Sequence, residues 1–149
     1  MFSFEDIPLN AIGFTAFATE DRVCNIGDHI HFDGILSNID THYDVKMNYF
    51  VCPHDATYSF SASLMASVGE RGWFYANIVR RLHGTEHEEN EDNTLVLGTV
   101  YASDTSQGSI SVVTECNMFD KIYVEMISPG TVKGDRKMRV STFSGFPLL

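Results

Sequence analysis

The sequence predicts an all-β fold, and three observations carry that reading. Helical periodicity is scarce: no run in the 149 residues places apolar side chains at the three-and-four spacing of an amphipathic helix. Period-two alternation recurs instead. Turn-prone clusters at 38–40, 53–55, 69–72, 104–108 and 128–135 divide the alternating segments. Short strands at such regular spacing build a sandwich or a barrel.

Each segment reads in turn. In IHFDGIL, 30–36, Ile30, Phe32 and Leu36 share a face. In DVKMNYFV, 44–51, Val45, Met47 and Tyr49 alternate with Lys46, Asn48 and Phe50. ATYSFSASLMAS, 56–67, puts Tyr58, Phe60, Ala62 and Leu64 on one face and Thr57, Ser59, Ser61 and Ser63 on the other. GWFYANIVRRL, TLVLGTVYA, SISVVTECN, DKIYVEMIS and KMRVSTFSGF follow the same pattern. GWFYANIV and NYFVC are apolar on both faces. Such strands need a second covering layer, and in an all-β chain of this size another subunit supplies it. The ending STFSGFPLL is apolar where most domains finish in a polar tail.

Composition bounds the function. Hydrophobic residues make up 44% and charged residues 20%, the balance of one folded domain rather than a disordered chain. No apolar run approaches the roughly 20 residues that span a bilayer, so membrane insertion is not expected. The net charge of −10 opposes broad binding to nucleic acid or anionic membrane. The start, MFSFEDIPLN, lacks a secretory signal, which fits a cytosolic protein or a mature form. The three cysteines form no CxxC pair. Cys116 alternates onto an apolar face as a buried thiol. A disulfide between Cys24 and Cys52 is left open.

The stretch FDGILSNIDTHYDVKMNYFVCPHDATYSF, 32–60, resembles the aromatic ladder of the complement C1q globular-head family: Phe32, Asn38, Tyr43, Phe50, Tyr58 and Phe60. GFTAFA, 13–18, resembles that family's first strand. GSISVVTECNMFDKIYV resembles its late strand pair, and STFSGFPLL its closing strand. Ala56 and Ala62 depart from the pattern, and Phe119 stands where a Gly usually precedes Asp120. The resemblance implies a ten-stranded jelly-roll sandwich shared with tumour necrosis factor, assembled as a homotrimer. It implies a single domain over 13–149 after an N-terminal segment, 1–12. No collagen-like repeat precedes the domain, so a bare or excised head is expected, secreted in life. The last strand would lie in the inner sheet near the three-fold axis, with Phe143, Phe146 and Leu148 covered by their own core or by neighbouring chains. Phe32, Tyr43, Phe50, Tyr58, Phe60, Phe143 and Phe146 are thus the expected core and trimer residues.

No enzyme motif is present: there is no GxSxG elbow, P-loop, HExxH or dinucleotide fingerprint. His29 and His31, and the looser group around His83 and His87, are read as structural rather than metal-binding. Cys52 before Pro53 and His54 reads as an ordinary strand end. Calcium is possible but not favoured, and no cofactor is required. Asp104 matches one acid of the site found in relatives, but Val96 and Leu97 fall where its other acids belong. The acid-rich TEHEENEDNT, 85–94, reads as a solvated loop, with a cation site or a basic partner as the sharper alternative.

The resemblance extends to free-standing lectin-like proteins of innate immunity, so glycans, sialylated or microbial, are the expected ligands. Aromatic faces suit sugar rings, and an Arg suits a sialic acid carboxylate. Arg71, Arg80, Arg81, His83 and Tyr101 are the candidate ligand residues. Trp73 and Tyr75 share that chemistry but are assigned to core or interface, because their strand is apolar. The alternative is a trimeric protein-binding ligand, cytokine- or hormone-like, or a synaptic or matrix organiser.

Overall fold

The structure, a computed structural model, describes residues 12–39, 41–69, 71–84 and 93–148. The strands are β1 Gly13–Phe17, β2 Arg22–Cys24, β3 Gly34–Ile39, β4 Tyr43–Asp44, β5 Tyr49–Val51 and β6 Ala56–Leu64, then β7 Trp73–Arg81, β8 Thr94–Ser103, β9 Gly108–Cys116, β10 Lys121–Met126, β11 Gly130–Val132 and β12 Thr142–Pro147. Ten of them form two five-stranded antiparallel sheets, β3-β1-β12-β6-β9 and β4-β5-β10-β7-β8. β11 and β2 add a small ribbon. The result is an all-β jelly-roll sandwich.

Alternation places the core. Along β6, Tyr58, Phe60, Ala62 and Leu64 are buried, while the serines between them face outward. The aromatic ladder closes the sandwich from both sheets. Phe14 of β1 stacks on Tyr43 of β4 and on Phe50 of β5 at 5.0 Å, and meets Phe143 of β12 edge-on at 5.0 Å. Phe50 also meets Tyr58 and Phe60 at 5.9 and 5.6 Å. Edge-on and offset aromatic pairs add roughly 0.5–1.5 kcal/mol each beyond the area they bury. Gly145 lets these rings close on β12, because a Cβ there would stand 2.5 Å from Phe60 and 2.8 Å from Phe14. Phe32, Tyr43, Phe50, Tyr58, Phe60 and Phe143 are all fully or almost fully buried.

β12 is the central strand of its sheet, between β1 and β6. Gly145 points inward, so Ser144 and Phe146 point out. Phe146 is 50% exposed in the single chain, and Leu148 is also exposed. The outer face of this sheet has an ordered pattern. One row runs Ile39, Gly13, Phe146, Ser59, Val113, and its apolar members are exposed. The adjacent row is Ser37, Thr15, Ser144, Ser61, Ser111. Ser61 and Ser63 hydrogen-bond Ser111 and Ser109 across the strands at 2.8 Å.

Two expectations change, and one pairing left open is not formed in the structure. The alternation over 44–51 does not make one strand: β4 ends at Asp44, and a turn carries Val45 and Met47 into solvent before β5. Asn48 takes a left-handed φ of 60°, and Asp44 Oδ1 accepts the Lys46 and Met47 N–H groups. Leu36 does not share the buried face of Ile30 and Phe32. It lies on β3, which begins only at Gly34, and is exposed. All three cysteines are buried free thiols, so no bond joins Cys24 to Cys52. The thiol beside Cys52 is that of Cys116.

Candidate recognition surface

β7 and β8 pair in register with Tyr75 opposite Tyr101 and Trp73 opposite Ser103. Period-two geometry sends Phe74 and Ala76 into the core and Trp73 and Tyr75 out of it. The three outward rings form one cluster: Tyr75 to Tyr101 is 5.0 Å, Trp73 to Tyr75 5.9 Å and Trp73 to Tyr101 6.4 Å. Trp73 is 38%, Tyr75 42% and Tyr101 49% exposed. Trp73 and Tyr75 are therefore not core residues of the single chain. The signal that separates them was present in the sequence: they alternate with Phe74 and Ala76, although all four residues from Trp73 to Ala76 are apolar or aromatic.

Arg71 lies over this cluster, its guanidinium carbon 5.0 Å from the centre of the Trp73 ring. That cation–π contact holds the planar group at the edge of the platform. Arg71 also borders an open cleft of about 420 Å³, lined by Val23, Cys24, Asn25, Pro129 and Thr131 among others. Aromatic faces, a planar bidentate cation and an open cleft of mixed polar and apolar lining thus meet in one place. The set can stack a flat or ring-shaped group and pair with an anion.

The other candidate residues do not join it. Arg80, Arg81 and His83 stand at and beyond the far end of β7. Eight residue-to-residue steps of strand separate Trp73 from Arg81, roughly 26 Å at ~3.3 Å per residue. Arg80 donates from Nε to Oδ2 of Asp120 at 2.9 Å. Arg81 bonds the Tyr123 side chain. The exposed His83 ring lies 5.1 Å from that of Phe119, and its backbone N–H donates to Asp120 Oδ1 at 2.9 Å. Of the five, Arg71 and Tyr101 lie at the platform, while Arg80 and His83 meet instead at Asp120.

Asp104 sits in the turn after β8, its N–H bonded to the Gly72 carbonyl at 2.8 Å. Among the described residues no group of three or more His, Cys, Asp or Glu side chains could hold a metal. His87 and most of the acid-rich segment lie outside the described residues. His29 stacks on Tyr123 at 3.9 Å, and burial lowers its pKa. His31 is exposed.

Two five-stranded sheets with an aromatic core between them define a jelly-roll sandwich of the C1q and tumour necrosis factor fold type. The chain belongs to the C1q domain family, whose model matches residues 13–148. Its fold is similar to the globular domain of zebrafish complement 1qA protein, with a TM-score of 0.69 and 16% identity over 93% of this chain and 98% of that one. It is also similar to Eiger TNF from S. frugiperda, at TM-score 0.71 and 8% identity over 93% and 92% of the two chains. Murine APRIL gives a TM-score of 0.68 and 8% identity over 91% and 98%.

Proposed function

We propose that this chain is a secreted, non-enzymatic recognition protein of innate immunity that works as a homotrimer and binds glycans at the Arg71, Trp73, Tyr75 and Tyr101 platform. The exposed aromatic cluster with Arg71 stacked on it carries the reading. Large rings held out of the core at one spot favour a ligand, since a folded chain gains nothing from leaving them wet. Arg71 fits the carboxylate of an acidic sugar, and the rings fit the apolar face of a pyranose. Membership of the C1q domain family, and the zebrafish relative's place in complement, support the immune setting.

The outer face of β3-β1-β12-β6-β9 supports the trimer. Its small hydroxyl residues allow close approach, and the exposed Ile39, Phe146 and Val113 row supplies apolar area. Three weak sites on one particle gain avidity for a repetitive surface. Likeness to Eiger TNF and APRIL favours a second reading, a trimeric ligand for a protein receptor. Trp, Tyr and Arg are also the residues that dominate protein interfaces.

A glycan array on the size-verified assembly, with and without calcium, tests the reading. Selective binding that is lost in Trp73→Ala supports it. A blank array with intact trimer moves the assignment to a protein ligand, and a monomer removes the avidity argument.

A further inference from the structure

Cys52 and Cys116 belong to opposite sheets. Cys52 directly follows β5, and Cys116 ends β9. Backbone bonds at the β9–β10 turn hold them side by side. Phe119 N–H donates to the Cys52 carbonyl at 2.7 Å, and Cys52 N–H donates to the Asp120 carbonyl at 2.9 Å. Cys116 stands opposite Ala56 on β6. The two side chains are hydrogen-bonded to each other and buried, at 0% and 1% exposure. Cys24 sits apart from this contact, opposite Gly130, with its thiol directed at the Arg22 carbonyl at 3.6 Å.

We infer that Cys52 and Cys116 are a disulfide site, joined when the chain folds in the presence of a disulfide oxidant, while Cys24 stays a thiol. The bond would tie the two sheets together at one end of the sandwich. Two thiols already in contact need only a short movement to reach the ~2.05 Å of an S–S bond. The inference rests on the secreted setting proposed above for its role in life, but the pairing itself is a property of the fold.

The chemistry balances with oxidised glutathione. One cysteine thiolate attacks a glutathione sulfur, breaks its S–S bond and releases one glutathione thiol. The second thiolate attacks the mixed disulfide and releases the other. The protein gives up two electrons and two protons, and both reach the glutathione pair. Burial, with Cys116 adding to it, pushes the Cys52 thiol far above its ordinary range. Thiolate is therefore scarce in the folded state. Exchange belongs to the unfolded or locally open chain, and the finished bond is shielded from reductant.

The test is to refold the reduced full chain with reduced and oxidised glutathione, alkylate the remaining thiols and map the peptides without reduction. Protein isolated from an oxidising secretory host is mapped in parallel, so a chain that refolds poorly still gives an answer. The expected result is a mass lower by two hydrogens, a linked Cys52 and Cys116 peptide and an alkylated Cys24. The midpoint of thermal unfolding should fall by about 10 °C when reductant is present throughout. Three alkylated cysteines in the native protein, a bond to Cys24 or a glutathione adduct would overturn the site. Refolding in a defined buffer makes no reference to the cell, so evidence of a reducing compartment would count against secretion and leave the pairing result standing.

Discussion

Arg80 and Asp120 form an ion pair at 2.9 Å with side chains only 12% and 2% exposed. Asp120 also accepts the backbone N–H groups of His83 and Asn117, both at 2.9 Å. One carboxylate therefore fastens the end of β7, the chain leaving it and the β9–β10 turn. Arg80→Ala should leave that carboxylate buried without its cation, at a cost of about 3–5 kcal/mol. The urea midpoint should fall accordingly, with binding at the Arg71 platform retained under folding conditions. An unchanged midpoint would contradict the structural role.

Arg71 and Trp73 should behave in the opposite way. Both are exposed, so Arg71→Ala and Trp73→Ala should change stability by less than about 1 kcal/mol. Each should weaken glycan binding about tenfold, which corresponds to ~1.4 kcal/mol. Arg71→Ala should act on acidic glycans and spare neutral ones. Isothermal titration beside a thermal melt separates the two effects, and parallel losses in both would remove the site.

Phe119 occupies a backbone conformation that suits glycine, with φ at 74°. A non-glycine residue there costs about 1–3 kcal/mol. Its ring is 39% exposed and has the His83 ring nearby, so little packing offsets the cost. Phe119→Gly should gain about 1 kcal/mol net. Phe119→Ala keeps the backbone cost and loses the ring, so it should melt below wild type. The order Gly, wild type, Ala in melting temperature is the check.

Phe146 tests the proposed assembly. Burying a large apolar side chain is worth roughly 1.5–3 kcal/mol, and a trimer does so three times. Phe146→Asp puts charge in that position and should give monomer or aggregate by light scattering. A normally folded trimer from this variant would move the interface to another face.

His29 gives a pH dependence with a defined sign. Burial disfavours its charged form, and the pKa falls below the ordinary 6.5 despite a backbone hydrogen bond at Met47 and the nearby Asp28; His31 adds to the lowering. The unfolded chain then binds the proton more readily than the native one. Stability is complete above about pH 6.5 and is lost as the pH falls through the lower native value. Denaturation midpoints at pH 7.5 and 5.5 should differ more for wild type than for His29→Gln. Equal slopes would assign the loss to carboxylates instead.

Much of the sandwich was legible from alternation. ATYSFSASL reads as one strand with Tyr58, Phe60, Ala62 and Leu64 inward, and β6 has that burial pattern. The same rule failed over 44–51, because a polar-apolar alternation continues through a turn as readily as along a strand. Only Asn48, a residue tolerant of positive φ, marked the break. The core half of the core-or-interface reading of Trp73 failed for a related reason: an apolar run states that a strand is hydrophobic, not which face a second layer covers.

By itself the sequence determined the strand class, most of the strand-forming segments and the residues of the aromatic core, because period-two alternation is a local property of the backbone. The tertiary structure decided everything that depends on which distant segments become neighbours. β12 lies between β1 and β6, Arg71 and Tyr101 share Trp73 while Arg80 goes to Asp120, and Cys52 meets Cys116 rather than Cys24. Local spacing carries no information about such contacts, since sheet order and register set them.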